Sequence, residues 1–312
     1  MNDKLNLLLA QLSSVIFGKE RECRLTVCAL MAGGDLLIED VPGVGKTTLA
    51  VALAQSLDLS FGRIQFTPDT LPGDVTGYST IDLRTGALQF HEGPVMHNIV
   101  LADEINRTSP KTQASLLEVM AERQVTAEGR TLPVPRPFMV IATENPIEFA
   151  GTYHLPEAQL DRFLMRISMG YPAEADELNM LRARLNGAEQ DGLKPVLTGT
   201  EVLELQRAAA AVRMTDPLLH YIVRIVSETR RSKSLALGAS PRAAIALARC
   251  ARAWALLEGR DFATPQDVQA VAPSVLTHRL VLSLDAGMSS ITASEVLREC
   301  VNRVAVPPMI RV

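Results

Sequence analysis

One stretch constrains this chain more than any other: Leu36-Leu37-Ile38-Glu39-Asp40-Val41-Pro42-Gly43-Val44-Gly45-Lys46-Thr47-Thr48-Leu49-Ala50. A short apolar run, the pattern of a buried strand, passes into a glycine-containing turn. Gly45-Lys46-Thr47 then opens an Ala- and Leu-rich helical run. Glycines let backbone N–H groups approach phosphate oxygens, and a helix N-terminus adds favourable partial charge there. Pro42, Gly43, Val44, Gly45, Lys46, Thr47 and Thr48 are therefore the candidate phosphate-binding residues. Lys46 is directed at the β- and γ-phosphates and the Thr47 hydroxyl at Mg²⁺. The strict pattern places a glycine five residues before Gly45, where this chain has Asp40. The competing interpretation is a strand-to-helix turn that holds no ligand.

Ile99-Val100-Leu101-Ala102-Asp103-Glu104 supplies a second element, with Asp103 lying 57 residues beyond Lys46. An apolar strand ending in two acids suits phosphoryl chemistry: Asp103 holds the metal, directly or through its water, and Glu104 polarises the attacking water. Strand ends also carry acids that merely face solvent. The phosphate loop upstream is what favours a site that hydrolyses ATP.

The rest of the chain predicts where these motifs sit. At 312 residues and ~150 per domain, two domains are expected. Hydrophobic content of 47% and charged content of 21% support a sizeable core and exclude wholesale disorder. Asp35–Glu39, Arg63–Thr67, Asn98–Asp103, Phe138–Thr143 and Met165–Met169 are short apolar segments separated by helical patterns, the signature of a parallel sheet wrapped by helices. Tyr78 to His91 alternates around Arg84-Thr85-Gly86, and Gln124 to Val134 turns at Ala127-Glu128-Gly129-Arg130; both are predicted hairpins. After Tyr171-Pro172 the pattern is helical only, over Glu201–Met214, Pro217–Arg231, Pro241–Glu258 and Pro265–Leu276, with Gly187 to Gly199 as a connecting loop. Ser240-Pro241 and Thr264-Pro265 are helix-start signals.

Leu101-Ala102-Asp103-Glu104-Ile105-Asn106-Arg107-Thr108-Ser109-Pro110-Lys111-Thr112-Gln113 strongly resembles the MoxR family of AAA+ ATPases. Two further stretches agree: Ile141-Ala142-Thr143-Glu144-Asn145-Pro146, and Gly151-Thr152-Tyr153-His154-Leu155-Pro156-Glu157-Ala158-Gln159-Leu160-Asp161-Arg162-Phe163. With the two hairpins and the helical tail, the resemblance covers nearly the whole chain. It implies an α/β P-loop NTPase of the AAA+ type with a parallel five-stranded sheet in residues 1–171, followed by an all-α lid domain in residues 172–312.

The resemblance also implies residue roles. Asn145 matches sensor 1, whose amide orients the lytic water; a loop amide before Pro146 is the simpler alternative. Arg162 matches the arginine finger, which reaches the γ-phosphate of a neighbouring subunit and offsets transition-state charge. An ion pair with Asp161 or Glu157 competes with that role. Arg242 matches sensor 2, through which the helical domain feels the γ-phosphate; a cation in a first helical turn opposes the helix dipole, so a functional reason is attractive. Val15 and Phe17, in Val15-Ile16-Phe17-Gly18, resemble the segment bordering adenine, although an apolar staple at a helix end reads the same way. Arg107 either faces a neighbour's nucleotide or packs.

A finger supplied by a neighbour implies a ring, in this family a hexamer, since head-to-tail contacts close or grow into filaments. The hairpins place the chain in the helix-2-insert clade, shared with the magnesium chelatase motor subunit, MCM helicases and dynein. In the MoxR family they handle a client or a partner, commonly one with a von Willebrand factor type A domain. The implied function is an ATP- and Mg²⁺-dependent remodelling chaperone for a protein client.

Two alternatives differ in class: a nucleic-acid motor of the MCM type, and a nucleotide-gated scaffold with little turnover. Net charge is −6 over residues 1–171 and +2 over residues 172–312, without the basic excess that phosphate-backbone binding needs. Arg123 and Arg130 are the only basic side chains between Arg123 and Val134, and aromatics amount to 4%, which offers no stacking platform. A complete set of Lys46, Glu104, Asn145 and Arg162 disfavours the scaffold. Cys23, Cys28, Cys250 and Cys300 show no CxxC spacing and the histidines no metal spacing, so reduced structural thiols are expected. No run approaches the ~20 apolar residues of a membrane span. The start reads as an amphipathic helix rather than a signal peptide, and a cytoplasmic location is expected.

Overall fold

The computed structural model describes residues 2–127, 130–146, 152–185 and 193–308. Glu128 and Gly129 of the second predicted hairpin turn, Gly151 of the third family motif and 187–192 of the predicted connecting loop lie outside the described residues.

Two helices, Asn2–Val15 (α1) and Glu20–Met31 (α2), lead into strand Leu36–Glu39 (β1), and the phosphate loop follows it into Lys46–Ser56 (α3). Then come Phe61–Gln65 (β2), the short helix Pro72–Thr76 (α4), Gly77–Ile81 (β3), Leu88–Glu92 (β4), Ile99–Asp103 (β5) and Pro110–Glu122 (α5). Gln124–Ala127 (β6), Arg130–Pro133 (β7), Met139–Glu144 (β8), Glu157–Leu160 (α6) and Met165–Ile167 (β9) complete this part. The sheet order is β2-β5-β8-β1-β9, and every neighbouring pair is parallel. β3 with β4, and β6 with β7, form the two separate antiparallel hairpins that the sequence pattern predicts.

Alternate residues of the strands serve opposite faces. Leu36, Ile38, Leu101 and Ile141 join the core beneath α1, α2 and α3. Leu37, Val100, Ala102 and Val140 join a second core beneath α5. Covered on both sides, β5 and β8 are buried along their whole length, which is why they read as continuous apolar runs. β2 starts and ends two residues before the predicted Arg63–Thr67, because its ladder with β5 pairs Phe61 with Ile99 and Gln65 with Asp103. β9 stops at Ile167 rather than Met169, since Ser168 and Gly170 turn to hydrogen-bond Asp40.

The second part is built from Glu174–Leu185 (α7), Gly199–Ala211 (α8), Asp216–Arg231 (α9), Leu235–Leu237 (β10), Pro241–Leu257 (α10), Pro265–Leu276 (α11), Val281–Leu282 (β11), Leu284–Met288 (α12) and Ala293–Arg303 (α13). α8 begins before the predicted Glu201 because Thr198 and Glu201 close a capping box. Ser240 caps α10 through the Ala243 N–H, and Thr264 and Asp267 box the start of α11, as their start signals predict. α10 is the centre, burying Ala243, Ala246, Leu247, Cys250 and Ala251 between α8, α9, α11 and α2 of the first part. The helical part also carries the antiparallel ribbon β10–β11. The sequence pattern indicates only helices here, because strands of two and three residues are too short to register a period.

All four cysteines are free and buried, and burial pushes the Cys23 and Cys250 thiols up to about 12, which suits inert core residues. Among the described residues no helix is long and apolar enough to cross a membrane.

Candidate active site

The loop after β1 leaves backbone donors free where a phosphate would sit. Gly43 and Gly45 adopt φ of +84° and +91°, the left-handed region that only glycine enters without strain. A side chain at Gly43 would meet nothing within 4 Å, so conformation rather than crowding demands glycine there. Gly45 is the N-cap of α3 and makes no side-chain cap, whereas α5, α8, α10 and α13 are capped by Ser or Thr hydroxyls. The first N–H groups of α3 are therefore left for an anion.

Lys46 is buried and donates from Nζ to the Asp40 carbonyl at 2.6 Å. Burial lowers its pKa, against the pull of Asp103, Asp40 and Glu104. Asp40, the departure from the strict pattern, has a role of its own. Its carboxylate accepts from Val41 N at 2.8 Å, Ser168 Oγ at 2.9 Å and Gly170 N at 2.5 Å. The start of the loop is thereby fastened to the end of β9. Burial alone would raise the Asp40 pKa, but these hydrogen bonds outweigh it and hold the carboxyl below the usual range.

Asp103 and Glu104 stand at the C-terminal end of β5, beside the loop, because parallel strands end on one edge of the sheet. Asp103 accepts from Thr143 Oγ1 at 2.7 Å and from Arg63 at 2.9 Å. Glu104 occupies a left-handed position, φ +57°. Its N–H donates to Thr143 Oγ1 at 2.8 Å, and its carboxylate accepts from Gln65 at 3.1 Å and Arg107 at 2.9 Å. One threonine from β8 thus fixes both acids.

A cavity of about 750 Å³ joins these elements. Val15, Phe17, Pro42, Gly43, Val44, Gly45, Lys46, Thr47, Thr48, Asp103 and Glu104 all line it. Tyr171 and Pro172 at the junction of the two parts, then Asp176, Glu177 and Met180 of α7, form the facing wall. Three expected site residues stand outside this lining. Asn145 is buried at the end of β8, and its carbonyl accepts from Asn106 at 3.2 Å. Arg162 donates to the Leu117 carbonyl at 2.7 Å instead of pairing with its neighbour Asp161. Asp161 pairs with Arg279 at 2.6 Å. Arg242 is exposed in the first turn of α10.

Comparison with known proteins identifies the family. Residues 35–165 match the profile of the ATPase family associated with various cellular activities, and residues 227–300 match an AAA lid domain. The chain is 42% identical over 308 residues to chaperone MoxR1 of Mycobacterium tuberculosis, covering 95% of this chain and 81% of that protein. The chain belongs to the MoxR family of AAA+ ATPases. Uncharacterised protein YeaC of Bacillus subtilis is 48% identical over 296 residues, covering 95% of this chain and 92% of that one. A crystal structure from Cytophaga hutchinsonii assigned as an ATPase superposes with a TM-score of 0.92 at 35% identity, covering 98% of this chain and 96% of the other.

For a MoxR-family ATPase the donor set suits a nucleotide with Mg²⁺. The uncapped start of α3 and the Lys46 ammonium would answer phosphate charge, while the Thr47 hydroxyl and the Asp103 carboxylate would offer Mg²⁺ hard oxygen ligands. Each Asp103 oxygen keeps a lone pair beyond the donors named above. Among the described residues no cluster of three His, Cys, Asp or Glu side chains forms a separate metal site. Sequence reasoning passed over Gln65, Arg63, Thr143 and the α7 wall. The first three are polar groups on strands flanking β5, and the rule that ligands sit beyond the carboxyl ends of parallel strands would have found Gln65 and Thr143. The α7 wall has no such local signal.

Proposed function

We propose that this protein hydrolyses ATP at sites completed between the subunits of a ring, a hexamer, and uses the cycle to remodel a protein client in the cytoplasm together with a von Willebrand factor type A-domain partner. The observation that carries the ATPase reading is the convergence of Lys46, Thr47, Asp103 and Glu104 on one cavity that extends to Val15 and Phe17. In this reading the α3 N-terminus and Lys46 bind the phosphates, Val15 and Phe17 border the base, and Thr47 and Asp103 hold Mg²⁺. When bound, Mg²⁺ neutralises charge on the phosphate oxygens. Glu104 draws a proton from the attacking water, which Asn145 orients. Arg162 of a neighbouring subunit offsets the charge that develops on the γ-phosphate. Arg242, in the helical unit of residues 172–312, reports the γ-phosphate to that unit, while residues 1–171 carry the chemistry. The chaperone name of the Mycobacterium relative and the hairpins β3–β4 and β6–β7 support a protein client.

The test is a trap pull-down from native extract. Glu104→Gln binds ATP without hydrolysing it and should retain its client, with Lys46→Ala as the blank. A von Willebrand-type protein or an immature enzyme recovered with the first and absent from the second is expected. Nucleic acid alone, released by modest salt, would replace this reading with the motor.

A further inference from the structure

The short segment between α6 and β9 carries Asp161, Arg162, Phe163 and Leu164, and a single guanidinium holds it on both sides of Arg162. Arg279, buried at the end of the 3₁₀ turn Thr277–Arg279 after α11, donates from Nε to Asp161 Oδ1 at 2.6 Å. Its other nitrogens reach the carbonyls of Asp161 at 3.4 Å, Phe163 at 2.6 Å and Leu164 at 3.3 Å. The ring of His278 adds a contact to the Phe163 carbonyl at 3.3 Å. Arg162 itself bonds elsewhere: its side chain donates to the Leu117 carbonyl of α5.

The second carboxylate oxygen of Asp161 accepts from Ser240 Oγ at 3.3 Å. Ser240 is the N-cap of α10, the helix whose first turn carries Arg242. Two elements of the helical unit, the start of α10 and the 3₁₀ turn after α11, therefore grip the residue that precedes Arg162. A movement of that unit either carries the segment with it or leaves a buried guanidinium without its counter-charge, a strongly unfavourable state. An arginine at position 279 is suited to this: its planar fork serves a carboxylate and several carbonyls together, which a lysine cannot.

We propose that Arg279 is a positioning residue for Arg162, and that the Asp161–Arg279 pair passes the position of one subunit's helical unit to the arginine which that subunit offers to its neighbour. This rests on the reading of Arg162 as a group acting between subunits.

Mixed assemblies test it. A Glu104→Gln subunit has an inert site but keeps its arginine; an Arg162→Ala subunit has a complete site but no arginine to offer. In an equimolar mixture turnover arises only where the first donates to the second. Asp161→Asn is then placed in the donor or in the acceptor, and kcat and KM for ATP are measured for each mixture. In the donor it should lower kcat by about tenfold or more, a part of the ~10³-fold that such an arginine supplies, with KM unchanged. In the acceptor, which has no arginine to place, turnover should stay within about twofold.

Equal loss in both placements, or no loss in the donor, overturns the proposal and leaves Arg279 a structural staple. If the mixture is inactive before Asp161→Asn is introduced, the shared-site reading itself fails, and the two failures are thereby distinguished. Should Asp161→Asn not fold, Asp161→Glu keeps the charge and displaces it by one methylene. A partial loss confined to the donor is then expected, and loss in the acceptor as well overturns the proposal.

Discussion

Gln65 Nε2 donates to Glu104 Oε2 at 3.1 Å, a bond made across strands β2 and β5, whose register places Gln65 opposite Asp103. Arg107 shares the same oxygen at 2.9 Å. Both donors fall on Oε2 of the carboxylate proposed to activate water, and by stabilising its charge they make it a weaker base.

Gln65→Leu removes one of these donors without adding charge. A hydrogen bond from a neutral amide to an ionised carboxylate is worth about 1.5 kcal/mol, so turnover without client should rise by up to about tenfold while nucleotide affinity stays constant. Steady-state hydrolysis with a parallel nucleotide-binding titration checks this. A fall in kcat would mean that Gln65 holds Glu104 in its working orientation.

Lys46→Ala and Glu104→Gln should separate binding from chemistry. Loss of the ammonium beside the α3 N-terminus should abolish measurable ATP binding. Loss of the carboxylate should leave binding within about threefold and lower kcat by about 10²-fold or more, the range of a general base. Binding by calorimetry and turnover by phosphate release distinguish the two.

Arg162→Ala should bind ATP normally and lose about 10³-fold in kcat. Because the proposed site needs a neighbour, wild-type activity per subunit should also rise with protein concentration. A flat rate from nanomolar to micromolar protein, with monomer by mass measurement, would remove the intersubunit role.

Asp40→Asn should weaken the fold by about 2 kcal/mol, since bonds to an ionised acceptor are worth more than neutral ones. The carboxyl of Asp40 lies below its ordinary value in the folded protein, so its contribution is present above the unfolded value near 3.8 and lost as pH falls through the lowered folded value. Denaturant unfolding should show a full gap between wild type and variant at neutral pH, closing only in strong acid.

Glu144 gives the opposite sign. Burial and the facing Glu39 raise its pKa, with His154 and Arg166 opposing. The folded protein therefore bears a cost that is complete above the raised value and disappears as pH falls toward 4.5. Glu144→Gln should raise the unfolding midpoint at neutral pH, and the gain should shrink on acidification.

Much of this site was legible locally. Gly45-Lys46-Thr47 and Asp103-Glu104 each need a glycine turn or a strand end at a set place, and such requirements are written in consecutive residues. Asn145 and Arg162 were legible only through family motifs, and the structure holds both outside the cavity lining. The α7 wall was not legible, because Asp176, Glu177 and Met180 matter through the loop they face, far away in sequence.

The sequence by itself determined the α/β pattern, the phosphate loop with its acids and the helical second half, since each follows from periodicity or from a contiguous motif. Tertiary structure alone decided that Asp40 fastens the loop to Gly170, that Gln65 reaches Glu104 and that Arg279 grips the segment carrying Arg162. The first depends on how β1 and β9 align, the second on the register of β2 against β5, and the third on how the helical part docks on the sheet. Local residue preferences are blind to all three, because the partners meet only after the chain has packed.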